Sequence, residues 1–272
     1  MNGVWLEKTD VKCYQSDMVQ SVERAPYVNA PIEEAIVEFR FARSDWNPTI
    51  PGLLLGNSTI SSRYRGKPRT QKIFQIQVQP SAEPVDHKPN IAVEDGVGRI
   101  QLVDEAGRNF LSLGPGVLSV HTLRPYDSWA HFRPKIEEAL TAYAAVAGST
   151  DVVRIGVRYI NKIVLPLVDG ALAKYFESRP MVAKGFPDRM VGFLSRAEFI
   201  YQDSAKLLVT HASIESASEH VAYLLDLDVS SVPASPLPIP EVMPVVDALH
   251  DREGQAFEAT ITDEARRIFN GE

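Results

Sequence analysis

Two segments of the chain alternate apolar with charged side chains, and the predicted fold is built around them. Residues 152–165 place Ile155, Val157 and Tyr159 on one side of an extended chain and Arg154, Gly156 and Arg158 on the other. Residues 36–41 repeat the pattern, with Val37, Phe39 and Phe41 against Glu38 and Arg40. Successive side chains of a β-strand point to opposite faces, so both segments are predicted to be half-buried strands.

The segments that follow these two strands are also alike, which predicts two related halves. After a first strand at 32–42 we expect a short helix within 51–64, strands at 73–78, 99–104, 109–113 and 117–123, and a long helix within 126–147. Because Pro134 is awkward inside a helix, we expect that helix to begin near Arg133 and to end at Gly148. After the second strand we expect a short helix at 170–177, strands at 191–201, 205–214 and 221–229, and helices at 242–257 and 262–269.

Prolines separate these elements, with three in 80–95, a predicted loop, and four in 230–240, a predicted linker. The predicted fold class is α+β, with an antiparallel-rich twisted sheet built from two similar strand-helix-strands-helix halves and long helices packed on one face. We expect residues 1–30 to form an irregular tail. Residues 31–150 and 151–272 are predicted to be the two halves, merged into one domain.

Composition places the chain among ordinary globular proteins. It has 272 residues, 44% of them hydrophobic and 23% charged, and no run of roughly 18 apolar residues that would span a membrane. The N-terminus lacks the pattern of a signal peptide, and the single cysteine, Cys13, is typical of a reducing compartment. We therefore expect a cytoplasmic protein with no membrane contact.

A net charge of −7 argues against a general nucleic-acid binder, because phosphate backbones are held by basic surfaces. One segment, residues 63–72, carries five positive charges and no acidic residue: Arg63, Arg65, Lys67, Arg69 and Lys72. Gly66 and Pro68 predict an exposed loop there. This basic loop is either a solvated surface or a contact for an anion or a partner, and it is the one place where nucleic acid could bind.

The chain carries none of the common catalytic motifs. It has no Walker-type phosphate loop, no nucleophile elbow, no H-E-x-x-H motif and no paired C-x-x-C, and its six histidines are scattered. We therefore assign no catalytic residue, no metal and no cofactor. Residues 250–253, which include His250 and Glu253, are expected to form a solvated helix face.

The charged sides of the two alternating strands are the strongest candidate site. If they meet, Arg40, Arg154 and Arg158 line one sheet face, where guanidinium groups suit a phosphate or carboxylate. Tyr159 and Asn161, in the same phrase as Arg158, are added as candidate contacts. The alternative is that these arginines only pair with acids such as Glu198 and Asp226.

Asp226 and Asp228 form a possible acid pair, since they alternate with apolar residues on a predicted strand. Two carboxylates on one strand face can bind a divalent cation or raise each other's pKa. The other interpretation is that they neutralise Arg154 and Arg158 across the sheet.

Four phrases carry a resemblance to a known group of proteins: residues 31–41, 126–132, 155–163 and 249–263. The chain resembles an uncharacterised, sporadically distributed bacterial family, whose most distinctive phrase is R-Y-I-N-[RK]-I, here residues 158–163. The resemblance covers nearly the whole chain after residue 30 and brings no assigned activity. A patchy distribution is typical of mobile or defence-linked genes, which implies a toxin–antitoxin or phage-defence role.

Two functions from different classes are consistent with these observations. The first is a non-catalytic binding or interaction protein, such as an accessory or antitoxin-like component that contacts another copy of itself or an operon partner. The second is an enzyme that acts on a phosphorylated or nucleotide-like ligand held by the arginine-lined face. A pocket that converges on the arginines would favour the second.

Overall fold

The chain folds into a mixed structure of helices and strands, described by a computed structural model. The structure describes residues 27–42, 46–79, 90–148, 151–167, 171–178, 180, 183–187, 190–214 and 220–272, without the side chains of 72–79 and 90–97. Cys13 and most of the predicted N-terminal tail lie outside these residues.

Within the described residues, nine strands form one sheet in which every pairing of neighbours is antiparallel. The strands are β1 (Ile32–Phe41), β2 (Arg69–Gln79), β3 (Asn90–Val103), β4 (Asn109–Gly114), β5 (Val117–Leu123), β6 (Val152–Pro166), β7 (Leu194–Ile200), β8 (Lys206–Ile214) and β9 (His220–Ser231). The helices are α1 (Ile50–Leu55), α2 (Ser58–Arg63), α3 (Trp129–Ala147), α4 (Ala171–Tyr175), α5 (Ile239–Thr260) and α6 (Asp263–Asn270). The α+β class is confirmed.

The two alternating strands lie side by side in the middle of the sheet. The strand order is β2-β3-β4-β5-β1-β6-β9-β8-β7, and β1 pairs with β6 in a register that sets Arg40 opposite Arg154 and Glu38 opposite Gly156. The predicted pairing of these strands is therefore confirmed. Outward from this pair, the strands run β5, β4, β3 and β2 on one side and β9, β8 and β7 on the other, so that each half ends beside its own first strand. The equivalence of the halves and the placing of both long helices on one face stay predictions.

Burial follows the alternation that the sequence predicts. Val37 and Phe39 of β1 and Val157 of β6 are fully buried, in a core that also contains residues of α1, α2, α3 and α5. A second group of buried residues joins the far ends of β6 and β9 to α4, α6 and the end of α5. The burial of this apolar surface is the main favourable free-energy term that holds the helices against the sheet.

Three sequence predictions were wrong in detail. Helix α3 begins at Trp129 and contains Pro134, because the Ser128 side chain caps its first turn by accepting a hydrogen bond from the His131 amide. Residues 90–95 are not a loop but the first half of β3, where β2 provides a partner for the backbone. The predicted helix within 51–64 is two helices, since Asn57 caps the second one.

No helix in the described part of the chain is both long enough and apolar enough to cross a membrane.

Candidate functional site

The charged face of the sheet is the side that carries Glu38, Arg40, Arg154 and Arg158. These residues alternate with the buried side chains of β1 and β6, so they point away from the apolar core. The register brings β1 and β6 into contact, and Arg154 of β6 bonds Glu38 of β1, which is 116 positions away in the sequence. The sheet thus joins the arginines that the sequence predicted would meet.

Three arginines converge on a single carboxylate at the centre of this face. Arg40 Nε lies 3.0 Å and Arg154 Nη1 3.3 Å from Glu38 Oε1. Arg99 Nη1, which comes from β3, lies 3.2 Å from Glu38 Oε2. We call Glu38, Arg40, Arg99 and Arg154 the Glu38 cluster.

Two glycines make room for this arrangement. A Cβ atom at Gly156 would lie 3.2 Å from Arg154 Nη1, so the guanidinium lies against backbone that carries no side chain. A Cβ atom at Gly114 would lie 3.3 Å from Arg99 Cγ. Arg99 therefore passes over Gly114 and reaches β1, although β4 and β5 separate the two strands.

Within the Glu38 cluster, arginines outnumber carboxylates, although the Asp228 carboxyl group lies near Arg154. Elsewhere in the described residues, Arg133 pairs with Asp247 and Arg252 pairs with Asp203, and no second arginine shares either carboxylate. In the cluster, three guanidinium groups share the one carboxylate of Glu38. Their side chains are 53% exposed for Arg40, 20% for Arg99 and 29% for Arg154, so two of the three charges are largely withdrawn from water. Such an arrangement is chemically suited to an anion, because opposite charges interact more strongly where water is scarce.

Within the described residues, Arg158 hydrogen-bonds a single carboxylate, that of Asp226. Its Nε and Nη2 atoms lie 2.8 and 2.6 Å from the two carboxylate oxygens of Asp226, a bidentate pair. This hydrogen bonding raises the pKa of Arg158 above its usual value. The predicted neutralisation of Arg158 by Asp226 is confirmed, whereas Arg154 bonds Glu38 and Glu198 bonds Lys206.

Asp226 and Asp228 differ in their hydrogen bonding, and whether they act as a pair stays a prediction. Asp228 lies opposite Arg158 in the register, and no hydrogen bond to its side chain is present in the described part of the chain. Burial raises the pKa of Asp228, the nearby charges of Arg154 and Arg158 oppose the rise, and the charge of Asp226 adds to it. The described residues contain no group of three or more His, Cys, Asp or Glu side chains that could hold a metal ion.

Tyr159 and Asn161 lie on the opposite side of β6, as the alternation requires, and are not part of the charged face. Tyr159 is 2% exposed and Asn161 1% exposed. Asn161 Nδ2 donates a hydrogen bond to the Leu225 carbonyl. Their inclusion as contact residues is therefore not supported by their positions, which are those of buried side chains.

The basic loop is separate from the Glu38 cluster. Arg63 ends α2 and bonds Glu138 of α3 at 2.7 Å, while Arg65, Lys67 and Arg69 are exposed. Residues 66–69 and 103–105 line a shallow hollow of about 320 Å³. Arg69 opens β2, and β3, β4 and β5 lie between that strand and β1. The side chain of Lys72 lies outside the described residues.

A second polar cluster is buried where β6 meets α3 and α5. The Tyr159 hydroxyl lies 3.0 Å from that of Tyr126 and 3.2 Å from His250 Nδ1, and the His250 ring stacks on Trp129. Burial lowers the pKa of His250 to about 4. The expectation that residues 250–253 form a solvated face was wrong for His250 and Glu253, whereas Asp251 is exposed.

Glu253 is the most unusual member of this buried region. It is 5% exposed, and its side chain makes no hydrogen bond to any described residue. Burial raises its pKa to about 8. The spacing that explains its burial was present in the sequence: Glu253 stands four residues after Leu249 and four before Phe257, two apolar residues of the same helix.

The sequence also did not identify Arg99, Gly114 and Gly156 as members of the site. Arg99 shares its side of β3 with Gln101, so its face could be inferred from alternation, but not the strand that it would reach. No protein-family model matches the chain, and the search of curated proteins also found no match. The family resemblance and the defence-linked role that it implies therefore stay predictions.

Proposed function

We propose that the protein binds a small phosphate-bearing molecule on its charged face, at the Glu38 cluster. The observation that carries this proposal is the sharing of one carboxylate by three arginines. Each guanidinium has five N–H donors, and the contacts with Glu38 use one from each arginine. The remaining donors suit the oxygens of a phosphate group, which guanidinium binds in bidentate fashion.

The cluster is suited to binding because its arginines are already held in place. Glu38 orients all three guanidinium groups, and Gly114 and Gly156 allow two of them to lie flat against the sheet. A ligand that binds preorganised groups loses less free energy to ordering side chains. An incoming anion also relieves the repulsion among the three positive charges.

Exposure supports a small ligand over a large partner. Arg99 and Arg154 expose less than a third of their side chains, and only Arg40 is about half exposed. A single phosphate group can reach such recessed donors, whereas a flat protein surface would contact chiefly Arg40. The net charge of −7 further disfavours long polyanions such as nucleic acids.

The test is calorimetric titration with inorganic pyrophosphate and with ATP. We expect each to bind the wild-type protein, and Arg154→Gln or Arg40→Gln to weaken binding roughly 10- to 100-fold, because a charge-assisted hydrogen bond contributes about 1.5–3 kcal/mol. The matched control is Arg124→Gln, since Arg124 is an exposed arginine paired with Glu33 outside the cluster. Circular dichroism checks that each variant is folded. Absence of binding by both probes at millimolar concentration, or an equal loss in the Arg124→Gln protein, would contradict the proposal.

A second candidate function, hydrolysis of the bound phosphate compound, is favoured by Asp228. Its carboxyl group lies near Arg154 and Arg158, makes no hydrogen bond to the described residues and has a raised pKa, properties that suit a general acid or base. The measurement is the release of inorganic phosphate from ATP. Release that disappears in Asp228→Asn while ATP binding persists supports hydrolysis; binding without release supports a non-catalytic binding protein.

A further inference from the structure

Strand β7 forms one edge of the sheet, and no other described strand pairs with its outer side. It is the last strand in the order, and within the described residues it pairs only with β8. Large apolar side chains are exposed on it, with Leu194 at 75%, Phe199 at 54% and Ile200 at 69%. Natural proteins usually protect such an edge, because its free backbone groups can pair with another strand.

The hydrogen bonds to β8 reveal which backbone groups of β7 point outward. The Tyr201 amide donates to the Ala205 carbonyl, and the Ser213 amide donates to the Phe193 carbonyl. Antiparallel neighbours alternate between bonded and non-bonded pairs, so the odd-numbered residues of β7 bond β8. The even-numbered residues therefore present their N–H and C=O groups to the open edge: Leu194, Arg196, Glu198 and Ile200.

The sequence of this edge, Leu-Ser-Arg-Ala-Glu-Phe-Ile, is complementary to itself when reversed. If a second copy runs antiparallel with Ala197 opposite Ala197, Arg196 faces Glu198 of the other copy and Leu194 faces its Ile200. These facing residues are the even-numbered ones, so their outward N–H and C=O groups bond each other. We propose that β7 pairs with β7 of a second copy in this register, which joins two nine-stranded sheets into one.

Charge selects this register from the alternatives that the backbone allows. Centring the pair on Arg196 or on Glu198 would place two like charges directly opposite each other, which is unfavourable between neighbouring strands. Centring the pair of strands nearer either end of β7 would leave fewer residues paired between the two copies. In the register centred on Ala197, two Arg–Glu pairs form and two Leu–Ile pairs flank them.

The side chains of the single chain are compatible with this pairing. Arg196 has no ion-pair partner in the part of the chain that the structure describes. Glu198 bonds Lys206 at 2.6 Å, but about half of its side chain is exposed, so it can bond a second cation. The proposal does not depend on ligand binding, because β7 is four strands away from β1.

The test is sedimentation velocity of the full chain, wild type and two charge reversals. We expect the wild type to be a dimer, and Arg196→Glu and Glu198→Arg each to weaken dimerisation at least about tenfold, because each reversal turns both ion pairs into repulsions. An equimolar mixture of the two variants should dimerise again, since the two like charges on one edge then face two opposite charges on the other. The control is Lys162→Glu, an exposed charge reversal on β6, which should keep the dimer.

Three results would overturn the proposal. The wild type could be monomeric at about 100 micromolar, the single variants could dimerise as the wild type does, or the mixture could stay monomeric. Circular dichroism of each variant separates loss of pairing from loss of folding. Dimerisation of the mixed variants is the decisive measurement, because a nonspecific effect of added charge would not be reversed by combining two altered chains.

Discussion

Replacing Glu253 by glutamine should abolish a pH dependence of stability that this one side chain creates. Glu253 is 5% exposed, and burial raises the pKa of its carboxyl group from 4.5 to about 8 in the folded protein. Between these values the folded state holds a proton that the unfolded state has released. Stability contributed by the neutral form is therefore fully present below pH 4.5 and is lost as pH rises toward 8.

The size of the effect follows from the two pKa values. Since a tenfold change in an equilibrium constant is about 1.4 kcal/mol, the burial of Glu253 destabilises the folded state by about 5 kcal/mol above pH 8 relative to pH 4.5. His250 and His211 act in the opposite direction, because burial lowers the pKa of each from 6.5 to about 4. The stability that their neutral forms contribute is lost only as pH falls below 6.5. Between pH 6.5 and 8, the free energy of unfolding should therefore change mainly through Glu253, with a fall of about 2 kcal/mol.

The assay is urea unfolding of the wild type and Glu253→Gln at several values between pH 6.5 and 8. We expect the free energy of unfolding of the wild type to fall by about 2 kcal/mol across this range and that of the variant to stay level. The control is Glu241→Gln, an exposed glutamate in the first turn of the same helix, which should keep the wild-type slope. A wild-type protein with no slope, or a Glu253→Gln protein with the slope intact, would refute the reasoning.

Two further substitutions test how the backbone is held, both measured as the change in the free energy of unfolding in urea. A Cβ atom at Gly66 would lie 2.5 Å from the Asp104 carbonyl oxygen, so Gly66→Ala should destabilise by about 1–3 kcal/mol; an unchanged midpoint would show that the two segments can separate freely. The Ser128 side chain caps α3 through the His131 amide, so Ser128→Ala should cost about 1 kcal/mol and Ser128→Asp should cost less, whereas equal losses in the two would argue against capping.

The local pattern of the sequence was sufficient to predict the faces of the central strands. Period-two alternation separated Val37 and Phe39 from Glu38 and Arg40, and the structure buries the first two while the side chain of Arg40 is about half exposed. The alternation also placed Tyr159 on the apolar side, where it is buried. Such predictions succeed because the faces of a strand depend only on neighbours in the chain.

What the sequence could not supply was the partner of each charged side chain. Arg99 reaches Glu38 only because β4 and β5 place β3 at that distance and Gly114 leaves its path clear. Strand order and the position of a glycine beneath a guanidinium are properties of tertiary structure. The same holds for Glu253, whose charge indicated exposure although its spacing on the helix agrees with burial.

The central place of β1 and β6 has a consequence for how the chain must fold. Both strands begin their halves, yet Glu38 and Arg154, which meet between them, are 116 positions apart. The pairs β2–β3, β3–β4 and β4–β5 on one wing, and β7–β8 and β8–β9 on the other, join strands adjacent in sequence and close short loops. Because closing a long loop costs more entropy than closing a short one, the hairpins of each wing can form early and the middle of the sheet last. We therefore expect the contact of Arg154 with Glu38 to form late in folding, when both wings have come together.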